Sequence, residues 1–297
     1  MAQVLTLISG IGTALDEPSL AAARATLREA GAEVGPVSWL APDQACDIPF
    51  SGGDPHALET ALRRHLTGLP VDLAIQPAKG RRKRLLLADM ESTIVTRELT
   101  DELAGLAGMG EAIAAMTAAS MRGEVDFAAS LRARIAMLKG QPAALLERVK
   151  DLVELSPGAR ALVQTMKAHG ARTALVSGGF DCFAAIAAAA CGFDELHANR
   201  LVMAEDRIAG EVVEPILDRL AKRATLDRLA ADLALAPSDT AAVGDGANDI
   251  PMIEAAGLGV AYHGKPVVAA AARFRLDHAD LTGILFLQGY RAQEFQG

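Results

Sequence analysis

The sequence has few cysteines and no long apolar run. Its three cysteines, Cys46, Cys182 and Cys191, are an odd number without a close Cys-x-x-Cys pair, so neither a disulfide framework nor a zinc site is indicated. No apolar segment reaches the roughly 20 residues that a membrane helix needs, and the first residues do not form a secretory signal pattern. We therefore expect a cytoplasmic protein with no membrane partner.

The sequence also lacks an excess of basic residues. Its formal net charge is -8 and its pI is near 5.3, whereas a broad nucleic-acid surface needs a basic face that displaces counterions. We expect no nucleic-acid partner, and we interpret the basic run from Arg81 to Arg84 as a solvated linker. An anionic ligand would have to be met by local cations.

Apolar residues are abundant, and they indicate two units. They make up 51% of the 297 residues, enough to fill one large or two moderate cores. Residues 1–80 alternate strand-like and helix-like patterns in an order that approximates βαββαβ, a ferredoxin-like arrangement. The composition then changes abruptly at "AKGRRKR", with Pro77 and Gly80 as natural breaks. We predict a domain boundary here, so that the second domain covers 81–297.

The second domain begins with a strand and continues into helices. Apolar residues recur at three-to-four spacing from about 98 to 153, which predicts an all-helical insert. After Pro157, helix and strand patterns alternate, as in a parallel sheet covered by helices on both faces. The segment "RLVMAEDRIAGEVV" instead predicts a β-hairpin that turns near Glu205 and Asp206.

Polar residues follow three of the predicted strands, where the ligands of open parallel sheets bind. The three groups are Asp89 and Glu91, then Ser177, Gly178 and Gly179, and then Asp245, Asn248 and Asp249. A fourth strand end offers only His263, Gly264 and Lys265. Each motif alone could be a helix cap or a glycine-rich turn. Their order at neighbouring strand ends favours one shared crevice.

The types of residue in this crevice favour phosphoryl chemistry. Carboxylates gathered at low dielectric repel one another unless a cation lies between them, and Asp89 with Asp245 suits Mg²⁺. Gly178 and Ser177 offer a backbone amide and a hydroxyl to an anion. Asp89 is the candidate nucleophile, and Glu91 is the candidate that protonates the leaving group and later activates water.

A lysine upstream of the third motif could complete this site. Lys222 lies at the start of a predicted helix and could neutralise the oxygens of a transferring phosphoryl group. A single lysine on an amphipathic helix is more often solvated, so this assignment depends on the three strand-end motifs.

Together these motifs resemble the signatures of the haloacid dehalogenase superfamily of phosphatases. The family patterns DxDxT, Ser/Thr after the second strand, Lys and GDxxxD correspond here to "DMEST", "VSGGFD", Lys222 and "GDGAND". A finer resemblance to the phosphoserine phosphatase family covers about 81–290, through "DELA", "MRGEVDFAASLRARI", "ANRL" and "VGDGANDIPMI". It implies an α/β fold with a Rossmann-like parallel sheet core, an inserted α-helical cap and, over residues 1–80, a small α+β domain that is ACT-like in shape.

The resemblance also implies roles for individual residues. The implied metal ligands are Asp89, the main-chain carbonyl of Glu91, and Asp245, with Asp249 and Asn248 in support of the metal and Lys222. Ser177, Gly178 and Lys222 are implied to hold the phosphate. The implied substrate-facing residues of the cap are Glu98, Met121, Phe127 and Arg134. Independent chemistry agrees, because Glu98 suits an ammonium group and Arg134 suits a carboxylate, the two charges of a phosphorylated amino acid.

One position departs from the family pattern. The family has Asp two residues after the nucleophile, and this sequence has Glu91. Glu is longer by one methylene, about 1.5 Å of reach, and a misplacement of about 1 Å can lower a rate on the order of a hundredfold.

We expect an enzyme that hydrolyses O-phospho-L-serine with Mg²⁺, the last step of serine biosynthesis. Two alternatives remain open at this point. The first is a weakly active homologue that senses amino acids, and the second is a phosphotransferase to another alcohol such as homoserine. A homodimer is also left open.

Overall fold

The structure, a computed structural model, describes residues 2–121 and 124–297. The N-terminal unit is built from short strands and two helices, both capped by an aspartate that accepts backbone N–H bonds. Its elements are β1 (Gln3–Ser9), α1 (Glu17–Glu29), β2 (Glu33–Val34), β3 (Ser38–Ala41), β4 (Ala45–Ser51), α2 (Pro55–His65) and β5 (Val71–Pro77).

The N-terminal strands form an antiparallel sheet in the order β2-β4-β1-β5, with β3 also paired to β4. The apolar faces of α1 and α2 pack on it in a core of their own. This is the ferredoxin-like arrangement predicted from the sequence. The sequence analysis did not separate β3 from β4, between which Asp43 turns the chain with φ of +57°.

The remaining elements alternate strands and helices as predicted after the first strand and its helical insert. They are β6 (Leu85–Ala88), α3 (Leu99–Leu106), α4 (Gly110–Met121), α5 (Phe127–Met137), α6 (Ala144–Lys150), α7 (Ala159–Ala168), β7 (Arg172–Phe180), α8 (Asp181–Cys191), β8 (Glu195–Asn199), β9 (Leu201–Ala204), β10 (Arg207–Val212), α9 (Arg219–Asp232), β11 (Thr240–Gly244), α10 (Ile250–Ala255), β12 (Leu258–Tyr262), α11 (Pro266–Ala271), β13 (Phe274–Leu276) and α12 (Gly283–Leu287).

A parallel sheet organises this second unit, in the order β13-β12-β11-β6-β7-β8. Alternate side chains of a strand point to opposite faces, so Leu86 and Ala88 join the core on one face while Leu85 and Leu87 join the core on the other. The α/β fold with a parallel sheet core is therefore confirmed. The strand β6, from which the first carboxylates follow, lies in the interior of the sheet.

The insert between β6 and β7 is helical, as predicted, and consists of α3 to α6. The predicted hairpin is formed by β9 and β10. It attaches to the insert, since the N–H of Gly140 donates to the Ile208 carbonyl at 2.8 Å and that of Ile208 to the Gln141 carbonyl at 2.9 Å. The sequence did not predict this attachment. The limits 98–153 for the cap and 80/81 for the domain boundary remain predictions.

The interpretation of Arg81 to Arg84 as solvated was wrong for Arg81 and Lys83, which are both buried. Arg81 Nη1 forms an ion pair with Asp47 of the N-terminal unit at 2.7 Å. Lys83 Nζ donates to the carbonyls of Gly80 at 3.0 Å and Ser238 at 2.8 Å. Arg81 is buried because it joins the two units, and Lys83 because it ties the segment after Gly80 to Ser238, contacts that charge counting alone cannot reveal.

A further polar contact joins the units at Asp72 of β5. Its carboxylate accepts the backbone N–H groups of Asp277 and Ala279, each at 2.8 Å, and of His278 at 3.1 Å.

Across the described residues, no helix combines the length and apolar character needed to cross a bilayer.

Candidate active site

The two carboxylates of "DMEST" leave the carboxyl end of the buried strand β6. Asp89 continues the strand, since its N–H donates to the Val243 carbonyl of β11 at 2.9 Å. The chain then makes one irregular turn over residues 90–94, in which Ser92 has a φ of +54°. A non-glycine residue rarely adopts this conformation. The turn places the side chains of Asp89 and Glu91 at the same edge of the sheet.

Three carboxylates meet at this edge, as predicted. One oxygen each from Asp89, Asp245 and Asp249 lies within 4.8 Å of the others, and all three residues are buried. Burial and the repulsion of Asp249 and Asp245 raise the pKa of Asp89, and burial likewise raises the pKa of Asp245. Asp89 and Asp245 are hard oxygen donors whose ionisation a nearby cation would favour, so the cluster fits a divalent metal such as Mg²⁺.

Lys222 lies in the first turn of α9 and is only 1% exposed. Its Nζ is 2.5 Å from Asp89 Oδ1 and 2.6 Å from Asp249 Oδ1. These two carboxylates more than offset the effect of burial and raise the pKa of Lys222, so the ammonium stays charged. The structure thus brings Lys222 into the carboxylate cluster. Its neighbour Asp249 also accepts the N–H of Gly246 at 3.1 Å, which fixes the "GDGAND" turn.

The "SGGF" segment differs slightly from its prediction. We expected Ser177 at a strand end where the next helix starts, but β7 continues to Phe180 through a bulge in its pairing with β8. Ser177 is buried, and its hydroxyl oxygen accepts the Gly179 N–H at 2.9 Å. The bulge keeps the two glycines in the strand instead of in a helix, with Gly179 beside the Glu91 carboxyl group.

Asn199, at the end of β8, supports this segment, and the sequence analysis did not single it out. Its side-chain amide donates to the Gly178 carbonyl at 2.9 Å, and its oxygen accepts the Leu217 N–H at 2.7 Å. A buried amide of this kind is recognisable in sequence only as a polar residue that ends a strand.

The predicted site residue Asn248 is half-buried, and its Oδ1 lies beside Gly246, where a Cβ would approach within 2.5 Å.

The side chain of Glu91 spans the gap between the helical insert and the "SGGF" segment. Its Oε1 accepts the backbone N–H of Thr100 at 2.9 Å and lies 3.3 Å from the Thr100 hydroxyl. Its Oε2 faces Gly179, where an added Cβ would approach it within 2.8 Å. Burial, assisted by the charge of Glu98, raises the pKa of Glu91 to about 7.

The insert places two of its predicted substrate-facing residues over the site. Phe127, the first residue of α5, touches the segment below, since a Cβ on Gly178 would lie 3.2 Å from its ring. Arg134 is buried, and its Nη1 contacts the Thr117 hydroxyl at 3.1 Å. Its Nε has no hydrogen-bond partner, and within 2–121 and 124–297 no carboxylate lies at ion-pair distance from its guanidinium, although the charges of Asp101, Glu91 and Glu98 stabilise the cation from farther away. The predicted role of Met121 concerns a side chain outside the described residues.

Glu98 lies at the rim of the site and has a partner that the sequence analysis passed over. Its Oε1 accepts the Ser92 hydroxyl at 2.9 Å and lies 3.6 Å from Lys265 Nζ. The same ammonium is 3.1 Å from Asp245 Oδ2. Lys265 follows β12, the fourth strand end, so its position was visible in the sequence. The sequence does not show that Lys265 approaches Asp245.

The comparisons with known proteins agree with this geometry. The family model of haloacid dehalogenase-like hydrolases matches residues 86–254, which include β6, the insert and the "GDGAND" turn. A phosphoserine phosphatase from Streptomyces coelicolor is 38% identical over 295 residues, which are 98% of this chain and 72% of that protein. One from Mycobacterium tuberculosis is 39% identical over 241 residues, 80% of this chain and 59% of that protein.

Solved structures match over both units. A haloacid dehalogenase family hydrolase from Salmonella enterica superposes with a TM-score of 0.84 at 31% identity, covering 96% of this chain and 98% of that one. A probable phosphoserine phosphatase from Vibrio cholerae gives a TM-score of 0.79 at 30% identity, covering 97% and 86%. The N-terminal unit is therefore shared with structural relatives.

Proposed function

This chain belongs to the haloacid dehalogenase-like hydrolases and to their phosphoserine phosphatases, and from that premise we propose that it hydrolyses O-phospho-L-serine to L-serine and phosphate with Mg²⁺. The observation that carries the proposal is the cluster of Asp89, Asp245 and Asp249 within 4.8 Å, with the ammonium of Lys222 against two of them. Such a cluster is suited to hold a metal and a phosphoryl group together.

The donor set supports a magnesium site formed by the Asp89 carboxylate, the Asp245 carboxylate and the main-chain carbonyl of Glu91. Asp249 would support it from the neighbouring turn, in which the Asn248 side chain also lies. Bound Mg²⁺ would supply positive charge that lets the buried carboxylates ionise beside a phosphate dianion.

In the first step, Asp89 attacks phosphorus and an aspartyl-phosphate forms as the bond from phosphorus to the serine oxygen breaks. Lys222 neutralises charge on the phosphoryl oxygens from its position 2.5 Å from Asp89 Oδ1. The Ser177 hydroxyl and the backbone of Gly178, near the carboxyl end of β7 beside β6, would hold the phosphate. The Phe127 ring covers Gly178 and limits the access of water during this step.

Glu91 moves the protons in both steps. An alkoxide is a poor leaving group, so the protonated carboxyl of Glu91 donates its proton to the departing serine oxygen. The resulting carboxylate then takes a proton from the water that attacks phosphorus and releases Asp89. A pKa of about 7 suits a group that must give and regain a proton near neutral pH.

Arg134 is the best candidate for recognising the substrate carboxylate. A buried arginine without a carboxylate at ion-pair distance is costly to keep, and a guanidinium binds a carboxylate through two parallel bonds. Glu98, at the rim, suits the substrate ammonium. The site's charges therefore favour a phosphorylated amino acid over a simple alkyl phosphate.

The test is phosphate release from O-phospho-L-serine by the purified protein with Mg²⁺ and after its removal with a chelator. We expect release that Mg²⁺ supports and that Asp89→Asn abolishes. Beryllium fluoride with Mg²⁺ should raise the melting temperature of the wild type but not of Asp89→Asn. A wild type that is inactive with Mg²⁺ present would overturn the proposal.

The proposed reaction also has a cellular role, and two alternative functions can be tested against it. The reaction would provide the last step of serine biosynthesis in the cytoplasm. Transfer of the phosphoryl group to another alcohol is separated from hydrolysis by product analysis with homoserine as a competing acceptor. A pure amino-acid sensor would bind serine with negligible turnover.

A further inference from the structure

We infer that Thr100, at the N-terminus of helix α3, is a positioning residue that makes glutamate, and not aspartate, the working proton carrier at position 91. This inference rests on the proposed function, because it concerns how the proposed acid is held. No motif used in the sequence analysis includes Thr100. The two oxygens of Glu91 contact different segments of the protein.

The first oxygen is fixed by the insert. Glu91 Oε1 accepts the Thr100 N–H at 2.9 Å and lies 3.3 Å from the Thr100 hydroxyl. The first N–H groups of a helix have no partner within the helix, and the side chain of Glu98, at the N-cap position of α3, does not provide one. Glu91 therefore meets a donor that would otherwise lack a protein partner. Thr100 itself is buried.

The second oxygen faces the "SGGF" segment. A Cβ on Gly179 would lie 2.8 Å from Glu91 Oε2 and 3.2 Å from the Ser177 hydroxyl oxygen. Glu91 thus reaches from Thr100, on the insert, to the backbone on which the phosphate is proposed to lie. One oxygen is held while the other is left to exchange a proton with the leaving group.

Aspartate is too short for this arrangement. Removing one methylene withdraws the carboxyl by about 1.5 Å, so an aspartate here could keep the bond to Thr100 or the approach to Gly179 but not both. Errors of about 1 Å in a reacting group can lower a rate on the order of a hundredfold. Glu91→Asp should therefore lower turnover, although it would restore the pattern common in the family. A weakened site that carries the wrong acid would instead gain activity.

The arrangement also links the acid to the insert. Thr100 belongs to α3, and Phe127 and Arg134 belong to α5 of the same insert. If the insert moves when substrate enters and product leaves, Glu91 loses or regains its partner as the site opens or closes. The proton carrier is then correctly placed only when the insert covers the site.

The experiment compares Thr100→Val, which removes the hydroxyl, with Thr100→Ser, which retains it. With phosphoserine, we expect Thr100→Val to lower kcat by about three- to tenfold with little change in KM, and Thr100→Ser to recover most of the loss. With p-nitrophenyl phosphate, whose leaving group needs no proton, the Val variant should retain wild-type turnover of the phosphorylation step. Thr225→Val is the matched control, because that hydroxyl donates to a carbonyl within helix α9.

A double-mutant cycle provides the second arm. Introduced into the wild-type sequence, Glu91→Asp should lower kcat on phosphoserine by about ten- to a hundredfold. In the Thr100→Val background the loss should be smaller, because the contact between positions 91 and 100 is already weakened there. Higher turnover in Glu91→Asp, or equal losses of Thr100→Val in the phosphorylation step of both substrates, would overturn the inference. If the wild type hydrolyses neither substrate, the proposed function would instead be overturned.

Discussion

The ammonium of Lys222 lies 2.5 Å from the carboxylate of Asp89, the residue proposed to accept the phosphoryl group. The contact joins the first turn of α9 to the end of β6, and both side chains are almost fully buried. A lysine so close to a nucleophile lowers the energy of its carboxylate form and is in place before phosphate arrives. The same ammonium also serves Asp249, so one cation stabilises two buried anions.

Lys222→Met should therefore reduce both activity and stability. We expect kcat to fall by at least about a hundredfold, as when one preorganised electrostatic partner is removed. We expect the free energy of unfolding to fall by about 3–5 kcal/mol at pH 7, because two buried carboxylates lose their partner. Phosphate release and urea denaturation measure the two effects.

The pH dependence of this loss of stability has a defined sign. The pKa of Lys222 is raised, so the wild type keeps this charge well above neutral pH. In the variant, Asp89, whose pKa is already raised by burial, loses the ammonium that lowers it and takes up a proton more readily, so the deficit should shrink from pH 8 to pH 5. Lys150→Met is the control, since Lys150 pairs with Glu147 near the surface. A deficit that grows toward low pH would contradict the assignment.

The pH profile of phosphoserine hydrolysis should report Glu91. Its pKa is raised to about 7 by burial and by the charge of Glu98. Because the proton on Glu91 is needed by the leaving oxygen, kcat/KM should fall about tenfold per pH unit above that value. With p-nitrophenyl phosphate the falling limb should be absent. A profile for phosphoserine that stays flat to pH 9 would exclude Glu91 as the acid.

The sequence was sufficient to predict which strand ends carry the site. Asp89 and Asp245 follow strands of one parallel sheet and Ser177 lies near the end of a third, and the carboxyl ends of such strands share an edge. The motifs therefore predicted proximity without any coordinates. Lys222 could be assigned only with them, because nothing in its own helix separates it from a solvated lysine.

Contacts that depend on how distant segments approach each other were not predictable. Thr100 and Lys265 lie in ordinary helix starts; the packing of the insert on the sheet brings Thr100 to Glu91, and the turn after β12 brings Lys265 to Asp245. Strands β8 and β13 were missed for a simpler reason. The first is half-buried without clear alternation and the second has three residues, so neither carries a period that a window can detect.

Arg134 should contribute to substrate recognition and not to stability. We expect Arg134→Met to raise KM for phosphoserine by at least about thirtyfold, the effect of truncating one partner of a buried charge pair. KM for an alkyl phosphate without a carboxylate should change little. Arg134→Lys keeps the charge but not the two-pronged geometry, so its KM should lie between the two.

The same Arg134→Met variant gives an independent reading by denaturation. Arg134 has an unpartnered Nε and, within the described residues, no carboxylate at ion-pair distance, and the charges of Asp101, Glu91 and Glu98 only partly offset its burial, so an apolar side chain of similar length should be tolerated there. The free energy of unfolding should stay within about 1 kcal/mol of the wild type or rise. A large loss of stability would show that Arg134 is structural, and the rise in KM would then not identify the substrate carboxylate.

Asp72 should determine whether the two units unfold together. Asp72→Ala leaves three backbone N–H groups of residues 277–279 without their acceptor and should cost about 2–4 kcal/mol at the junction.

Trp39, the single tryptophan, belongs to the N-terminal unit, so its fluorescence and the phosphatase activity follow different units. In the wild type the two urea transitions should coincide, because Asp72, Arg81 and Gln76 tie the units together. In Asp72→Ala they should separate. Asp54→Ala removes the cap of α2 away from the junction, so it should lower the free energy of unfolding by about 1 kcal/mol while the two transitions move together. Coincident transitions in Asp72→Ala would mean that the remaining contacts alone couple the units.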